Sequence, residues 1–259
     1  MMTMNIATMM PSVIGDPTYQ LDYAALVAAG VVVPETDPVA REEYLFDVAG
    51  AAALRDRRSG YLLKQGPLAV APPTILADRV TVDGEYGGLI CHTADQAAMT
   101  VGLVFQRPVG TLTGALHLIG TDTGVAGNSG WGIYIVDSGA LTLSIRPGTG
   151  DPGIISATVN AALPKGAWGF AAAVLSDESS TIYLGAGGSL IKAPAAGVTR
   201  VLAGAVTIGK AVNLGSSYGS DALSVRRAII SHDALGDADV LALYKRAGVI
   251  CARRNWALV

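Results

Sequence analysis

Charge is scarce in this chain. Only 15% of its 259 residues are Asp, Glu, Lys or Arg, against 51% hydrophobic residues. That balance excludes a disordered polymer held open by its own charge. What charge there is sums to -3, and the local basic clusters, Arg55, Arg57, Arg58 and Arg253, Arg254, read as solvated loop charge. No continuous basic face is available to displace counterions, so a nucleic-acid partner is not expected. Cysteine is nearly absent: Cys91 and Cys251 are too few for the disulfide framework of a small secreted domain, and both read as thiols. The histidines His92, His117 and His232 stand far apart with no His-x-His or His-x-x-x-His, which leaves a zinc site without support. Long apolar runs are missing too. The longest, Ala24 to Val33, holds Gly30 and reaches about half the length of a membrane helix, so no membrane insertion is expected. The opening MMTMNIATMM has neither the basic n-region nor the apolar h-region of a signal peptide. The expectation is a soluble protein made in the cytoplasm, staying there or leaving in an assembly.

Glycine and proline are abundant, at 32 and 12 residues, which suits many short buried strands joined by tight turns. From Tyr44 the turn signals become regular: Ser59-Gly60, Gly66-Pro67, Pro72-Pro73, Asp83-Gly84, Gly87-Gly88, then Pro108 to Gly110. The clearest hairpin spans Trp131 to Arg146. Trp131, Ile133 and Ile135 lead into Asp137-Ser138-Gly139, and Leu141, Leu143 and Ile145 return. Further strands are expected at Gly114 to Ile119, Ile154 to Val159, Trp168 to Leu175, Thr181 to Leu184, Ser189 to Lys192 and Ala205 to Ile208. Trp168, Phe170, Ala172 and Val174 share one face, which places the tryptophan in a core rather than a sugar site, and the same alternation favours a core Trp131.

The chain is organised around its closing stretch, Asp221 to Tyr244. Its first half alternates, with Leu223, Val225 and Ile229 on one face and Ser224, Arg226 and Ala228 on the other. After Gly236 the period becomes helical: Asp237 and Asp239 in a first turn, Val240, Leu241, Leu243 and Tyr244 as the apolar stripe, and Gly248 as the stop. A short helix over 237–247 is expected. Upstream of Tyr44, Tyr19 to Ala29 reads as a short helix, Val31 to Val33 as an apolar run, and Asp37-Pro38 as an N-cap with proline at the first helical position.

This strand, Ala234-Leu235 loop and helix ending Leu243-Tyr244 resemble the close of laminin-G-like, concanavalin A-like jelly rolls. Other pieces fall in the family's order. Leu45, Phe46 and Asp47 with Asp56, Ser59 and Gly60 resemble its opening strand and Asp-x-Ser-Gly turn, with one extra arginine before Ser59. Met99, Val101, Leu103 and Phe105 resemble its first long core strand. Trp168 to Ala172, Ile182 to Gly188 and Val206 to Gly209 resemble later strands. The resemblance implies an all-β, concanavalin A-like (LamG-type) jelly-roll sandwich of two antiparallel sheets. The expected organisation is an N-terminal arm over 1–42, the jelly roll over 43–247, and a tail over 248–259.

The sequence carries no catalytic signature in a supporting context. A glycosidase needs two carboxylates roughly 5 to 10 Å apart across a cleft, and no Glu-x-Asp-x-x-Glu run occurs. Glu42-Glu43, Asp177-Glu178, and Asp83 with Glu85 read as solvated residues in turns or before the domain. Gly215-Ser216-Ser217-Tyr218-Gly219 fits Gly-x-Ser-x-Gly, but a glycine and serine loop leading into a strand is not the strand-to-helix elbow that Ser217 would need. Cys91 and His92, adjacent in a strand, point to opposite faces and do not pair as nucleophile and base.

The leading expectation is therefore a non-enzymatic bacteriophage structural or adhesion protein: a tail, fibre or surface-decoration subunit of the virion displaying a lectin-like domain. The resemblance carries it, because signal-free members with a short arm look like virion proteins. The alternative is a carbohydrate-binding module, and the third choice an enzyme acting on polysaccharides. Asp122, Asn128, Asn213 and Tyr218, in turn-rich segments, are the candidate glycan ligands. No cofactor is expected, although the loop aspartates Asp122, Asp151 and Asp177 leave bound calcium open. Expected partners are other virion proteins, a bacterial surface glycan and further copies of the chain, a trimer being favoured. The apolar end Trp256, Leu258, Val259 enters that argument: docking on its own sandwich or on a neighbour stand about even, and the apolar arm tips the balance towards an oligomer.

Overall fold

The computed structural model describes residues 36–84, 86–121, 130–147, 153–210 and 219–259. Outside them lie the expected helix at 19–29, the Val31 to Val33 run, Glu85, Asp122, Asn128, Asp151, Asn213, Ser217 and Tyr218. Among the described residues the strands are β1 (Glu42–Leu45), β2 (Lys64–Gln65), β3 (Thr74–Ile75), β4 (Val80–Val82), β5 (Leu89–Ala94), β6 (Met99–Gln106), β7 (Leu116–Gly120) and β8 (Gly130–Ile135). They continue as β9 (Leu141–Arg146), β10 (Ile155–Val159), β11 (Trp168–Leu175), β12 (Ser179–Ala186), β13 (Ser189–Ala196), β14 (Ala205–Ile208) and β15 (Leu223–Ser231), and one helix follows, α1 (Asp237–Arg253).

Every pairing is antiparallel. One sheet runs β13-β12-β11-β6-β15-β4-β3, with β1 joining β15 beyond β4; the other runs β10-β9-β8-β7-β14-β5-β2. The chain is an all-β sandwich of two antiparallel sheets with one helix near its C-terminal end, the architecture that the jelly-roll resemblance implies. The predicted hairpin is present, with Trp131 opposite Ile145, Ile133 opposite Leu143 and Ile135 opposite Leu141. Gly139 closes its turn at φ 87°, a conformation that side chains other than glycine's rarely adopt.

Two apolar layers result. The main core lies between the sheets, where Phe105, Met99 and Ile230 of one meet Trp131, Leu89 and Ile208 of the other. The second lies on the outer face of the larger sheet. There Trp168, Phe170, Ala172 and Val174 are covered by Val240, Leu243, Tyr244 and Cys251 of α1. The alternation of β11 was thus read correctly, but the layer its tryptophan joins is the one beneath the helix.

Three local expectations change. In β15, Leu223 and Val225 face the main core, but Ile229 faces α1 while Ala228 and Ile230 point inward. The cause is a register shift between Val225 and Arg227 against β6: an extra residue inverts the alternation downstream of it. Second, α1 does not stop at Gly248, which is buried within it. The helix ends where Asn255 takes φ 55°, with the Trp256 N–H on the Cys251 carbonyl at 2.8 Å and the Asn255 N–H on Ala252 at 3.1 Å. This double closure satisfies the orphan carbonyls that Gly248 was expected to serve. Third, the Asp37 carboxylate accepts the Val39 N–H as an N-cap would, at 3.2 Å, but one turn follows and the chain enters β1.

Candidate functional site

A strand needs its outer backbone paired, and β1 obtains this from β15, with Glu42 opposite Ile230 and Leu45 opposite Arg227. The pairing carries two carboxylates inside. Glu42 and Glu43 are 2% and 0% exposed, which corrects the reading of this pair as solvated. Burial is tolerated because each charge is met. The Glu43 carboxylate accepts from Arg227 Nε and Nη2 at 2.9 and 2.6 Å and from the Asp37 N–H at 2.5 Å. Asp37 in turn meets Arg246 of α1 at 3.0 Å. The Glu42 carboxylate accepts from the Thr93 hydroxyl at 2.5 Å and the Tyr44 hydroxyl at 2.6 Å. Burial, followed by the nearby Cys91 and Glu42, pushes the Tyr44 phenol above its ordinary value.

The Asp56 to Gly60 turn docks on the same strand. Asp56 accepts the Glu43 N–H at 2.7 Å with one oxygen, and the Ser59 N–H at 2.7 Å and the Ser59 hydroxyl with the other. Gly60 completes the turn at φ 77°, so the Asp, Ser and Gly positions act as the motif implies despite the extra arginine. The turn places Arg58, whose Nη1 donates to the Asp37 carbonyl at 2.7 Å, and launches Tyr61 towards β5. Tyr61 stacks on His92 with ring centroids 3.7 Å apart and planes 19° apart, and 49% of Tyr61 remains exposed.

Between the segment before β1, this turn, β5 and the loop after β15 lies an open groove of about 590 Å³. Arg41, Arg58, Tyr61, His92 and His232 border it, with Thr93 beneath, 3.4 Å from His232 Nε2. Cations and an aromatic platform above a firmly held polar floor form a surface that can receive a polar ring compound. The predicted glycan ligands Asp122, Asn128, Asn213 and Tyr218 lie outside the described residues. Asp177 is an exposed tip residue of the β11–β12 hairpin. Among the described residues no three His, Cys, Asp or Glu side chains gather as a metal-binding group. Sequence reading missed the groove because its residues come from four distant segments. One signal was present: His92 had to face away from the core once Cys91 faced into it.

No family model matches the chain, and no curated protein does. Solved structures do. A Trypanosoma rangeli sialidase in complex with sialic acid superposes with a TM-score of 0.60 at 13% identity, covering 86% of this chain and 35% of the sialidase. Botulinum neurotoxin type C, which depends on interaction with two ganglioside molecules to enter cells, gives 0.53 at 16% identity over 80% of this chain and 51% of its own. The botulinum neurotoxin serotype D binding domain gives 0.54 at 14% identity over 80% and 50%. This chain therefore spans about a third to a half of these proteins, and the shared property is the fold. They correct the expectation that the chain is not an enzyme. Sialidases are enzymes and carry this sandwich, so neither the fold nor the missing carboxylate run excludes catalysis.

Proposed function

We propose that this chain is a glycan-recognition domain and that the groove beside β1 and β5 is its sugar site. The carrying observation is the Tyr61–His92 stack: a half-exposed aromatic ring, held in place by an imidazole, at the border of a groove rich in hydrogen-bond donors. Sugar rings lay their C–H faces on such platforms while charged and polar groups take the hydroxyls. The similar structures support the reading, since the neurotoxin interacts with gangliosides and the sialidase holds sialic acid. A glycan array probed with the full chain tests it. Tyr61→Ala should weaken capture roughly tenfold or more, about 1.4 kcal/mol, with little change in melting because the ring is half exposed. Loss with Tyr218→Ala instead would move the site to the loops bearing Asp122, Asn128, Asn213 and Tyr218.

The setting proposed for this activity is the surface of a bacteriophage particle, where the chain would serve as a tail, fibre or decoration subunit, as a trimer, and meet a bacterial glycan. The laminin-G-like resemblance supports that setting. Mass spectrometry of purified particles checks it, and particles lacking the chain would remove it.

A further inference from the structure

We infer that the groove selects a sugar bearing a carboxylate, an inference that rests on the glycan reading and narrows it. The charge around the groove runs against that of the molecule. The chain as a whole carries a formal -3, yet the groove is bordered by two guanidinium groups and two imidazoles, with Glu42 the sole carboxylate among the described residues that line it. Glu42 does not offset them at the surface: it is 2% exposed and both its oxygens are engaged, by Thr93 and by Tyr44. Arg41 is fixed through its backbone, whose N–H donates to the Ile230 carbonyl at 2.6 Å, while its side chain is exposed. Arg58 is held through Nη1 on the Asp37 carbonyl at 2.7 Å, which leaves its other N–H groups for a ligand. The hydroxyls nearby are committed. Ser59 donates to Asp56 and accepts from the Tyr61 N–H at 3.3 Å, and Thr93 donates to Glu42 and lies 3.4 Å from His232 Nε2. The groove thus offers charged donors, which the hydroxyl oxygens of any sugar can accept from but which only a carboxylate answers with the opposite charge. A planar guanidinium matches a carboxylate in two parallel hydrogen bonds, and the Tyr61 ring supplies the face for the sugar's carbon skeleton.

Calorimetric titration of the full chain tests this with four probes: sialyllactose, an oligogalacturonate, lactose and lactose sulfate. Both carboxylated probes should bind at least tenfold more tightly than lactose, and the preference should shrink as salt rises. Arg41→Ala should abolish the preference, Arg58→Lys should reduce it despite keeping the charge, and Tyr61→Ala should weaken carboxylated and neutral sugars alike. Arg41 is exposed, so its variant should melt as the parent does. Equal affinity for lactose and sialyllactose, or a preference untouched by Arg41→Ala, would overturn the carboxylate assignment while leaving the sugar site in place. Lactose sulfate binding as well as sialyllactose would show that any anion suffices and would also overturn it. Binding of no sugar in a Tyr61-dependent manner would remove both readings.

Discussion

The Glu43 carboxylate on β1 receives two N–H groups from Arg227 and one from the Asp37 backbone, with no exposure to water. Glu43→Ala would leave the Arg227 guanidinium buried with only the more distant Asp37 carboxylate, at 3.9 Å. Removing one partner of a buried pair costs about 3 to 5 kcal/mol. Urea unfolding should show that loss, and an unchanged midpoint would mean that β1 is not anchored by charge. Nothing in the isolated sequence marked this pair as internal, because its partner lies in a strand 184 residues away. The thiols, by contrast, were legible. Cys91 and Cys251 are free and buried. Burial, then Glu42 and Asp56, raises the Cys91 value, and burial pushes Cys251 up to about 11. Thiolates are what react, so a chromogenic disulfide reagent should label neither cysteine at neutral pH until denaturant is added; rapid labelling of the folded chain would contradict their placement.

At the scale of elements, α1 is tied to the larger sheet at its first turn as well as through its apolar stripe. Asp237 accepts from the Tyr183 hydroxyl of β12 at 2.7 Å and pairs with Lys192 of β13. The Lys192 hydrogen bond first, then that of Tyr183, holds the Asp237 carboxyl below its ordinary value. A carboxyl whose value is lower folded than unfolded stabilises the fold above its unfolded value, about 3.9, and that stabilisation fades as pH falls through the folded value. Asp237→Asn should therefore lower the melting temperature at pH 6, and the gap from the parent should close as pH drops below about 4. A gap constant with pH would show that the contact is not electrostatic. The same region shows what periodicity carries and what it does not. A run such as β11 or the β8–β9 hairpin reports its faces because each residue obeys the alternation. The inversion within β15 comes from one extra residue opposite β6, which depends on a partner strand 120 or so positions away. Gly248 was a plausible stop by composition, yet it packs inside α1 because the neighbours Ala247, Val249, Ile250 and Cys251 are all buried. The energy of covering the sheet exceeds the roughly 1 kcal/mol that glycine costs inside a helix.

On the scale of the whole molecule, the apolar residues after α1 are placed on their own sandwich. The Arg226 guanidinium lies 3.8 Å from the Trp168 ring and 5.0 Å from that of Trp256, and Nη1 donates to the Ala257 carbonyl at 2.9 Å. The Val259 N–H reaches the Trp168 carbonyl at 2.9 Å, and Leu258 packs with the layer under α1. This answers one half of the sequence argument for an oligomer: two apolar ends were hard to bury on one subunit, and one of them is now accounted for. The other half rests on the arm, whose apolar run lies outside the described residues. The two ends should accordingly behave differently when removed. Cutting after Asn255 strips one face of the Arg226 stack and part of the cover over Trp168, which should cost on the order of 2 kcal/mol from lost apolar burial and cation–π contact. It should leave the mass in solution unchanged, because these groups serve their own chain. Removing residues 1–35 should leave the sandwich folded, since β1 and the Asp37 to Glu43 charge network remain, and should reduce a trimer to a monomer if the arm holds the copies together. Light scattering on the three chains at equal micromolar concentration checks both outcomes. A full-length monomer would remove the trimer, and loss of the oligomer on cutting after Asn255 would mean that Trp256 and Leu258 pack against a neighbour rather than against Arg226 and Trp168 of their own subunit.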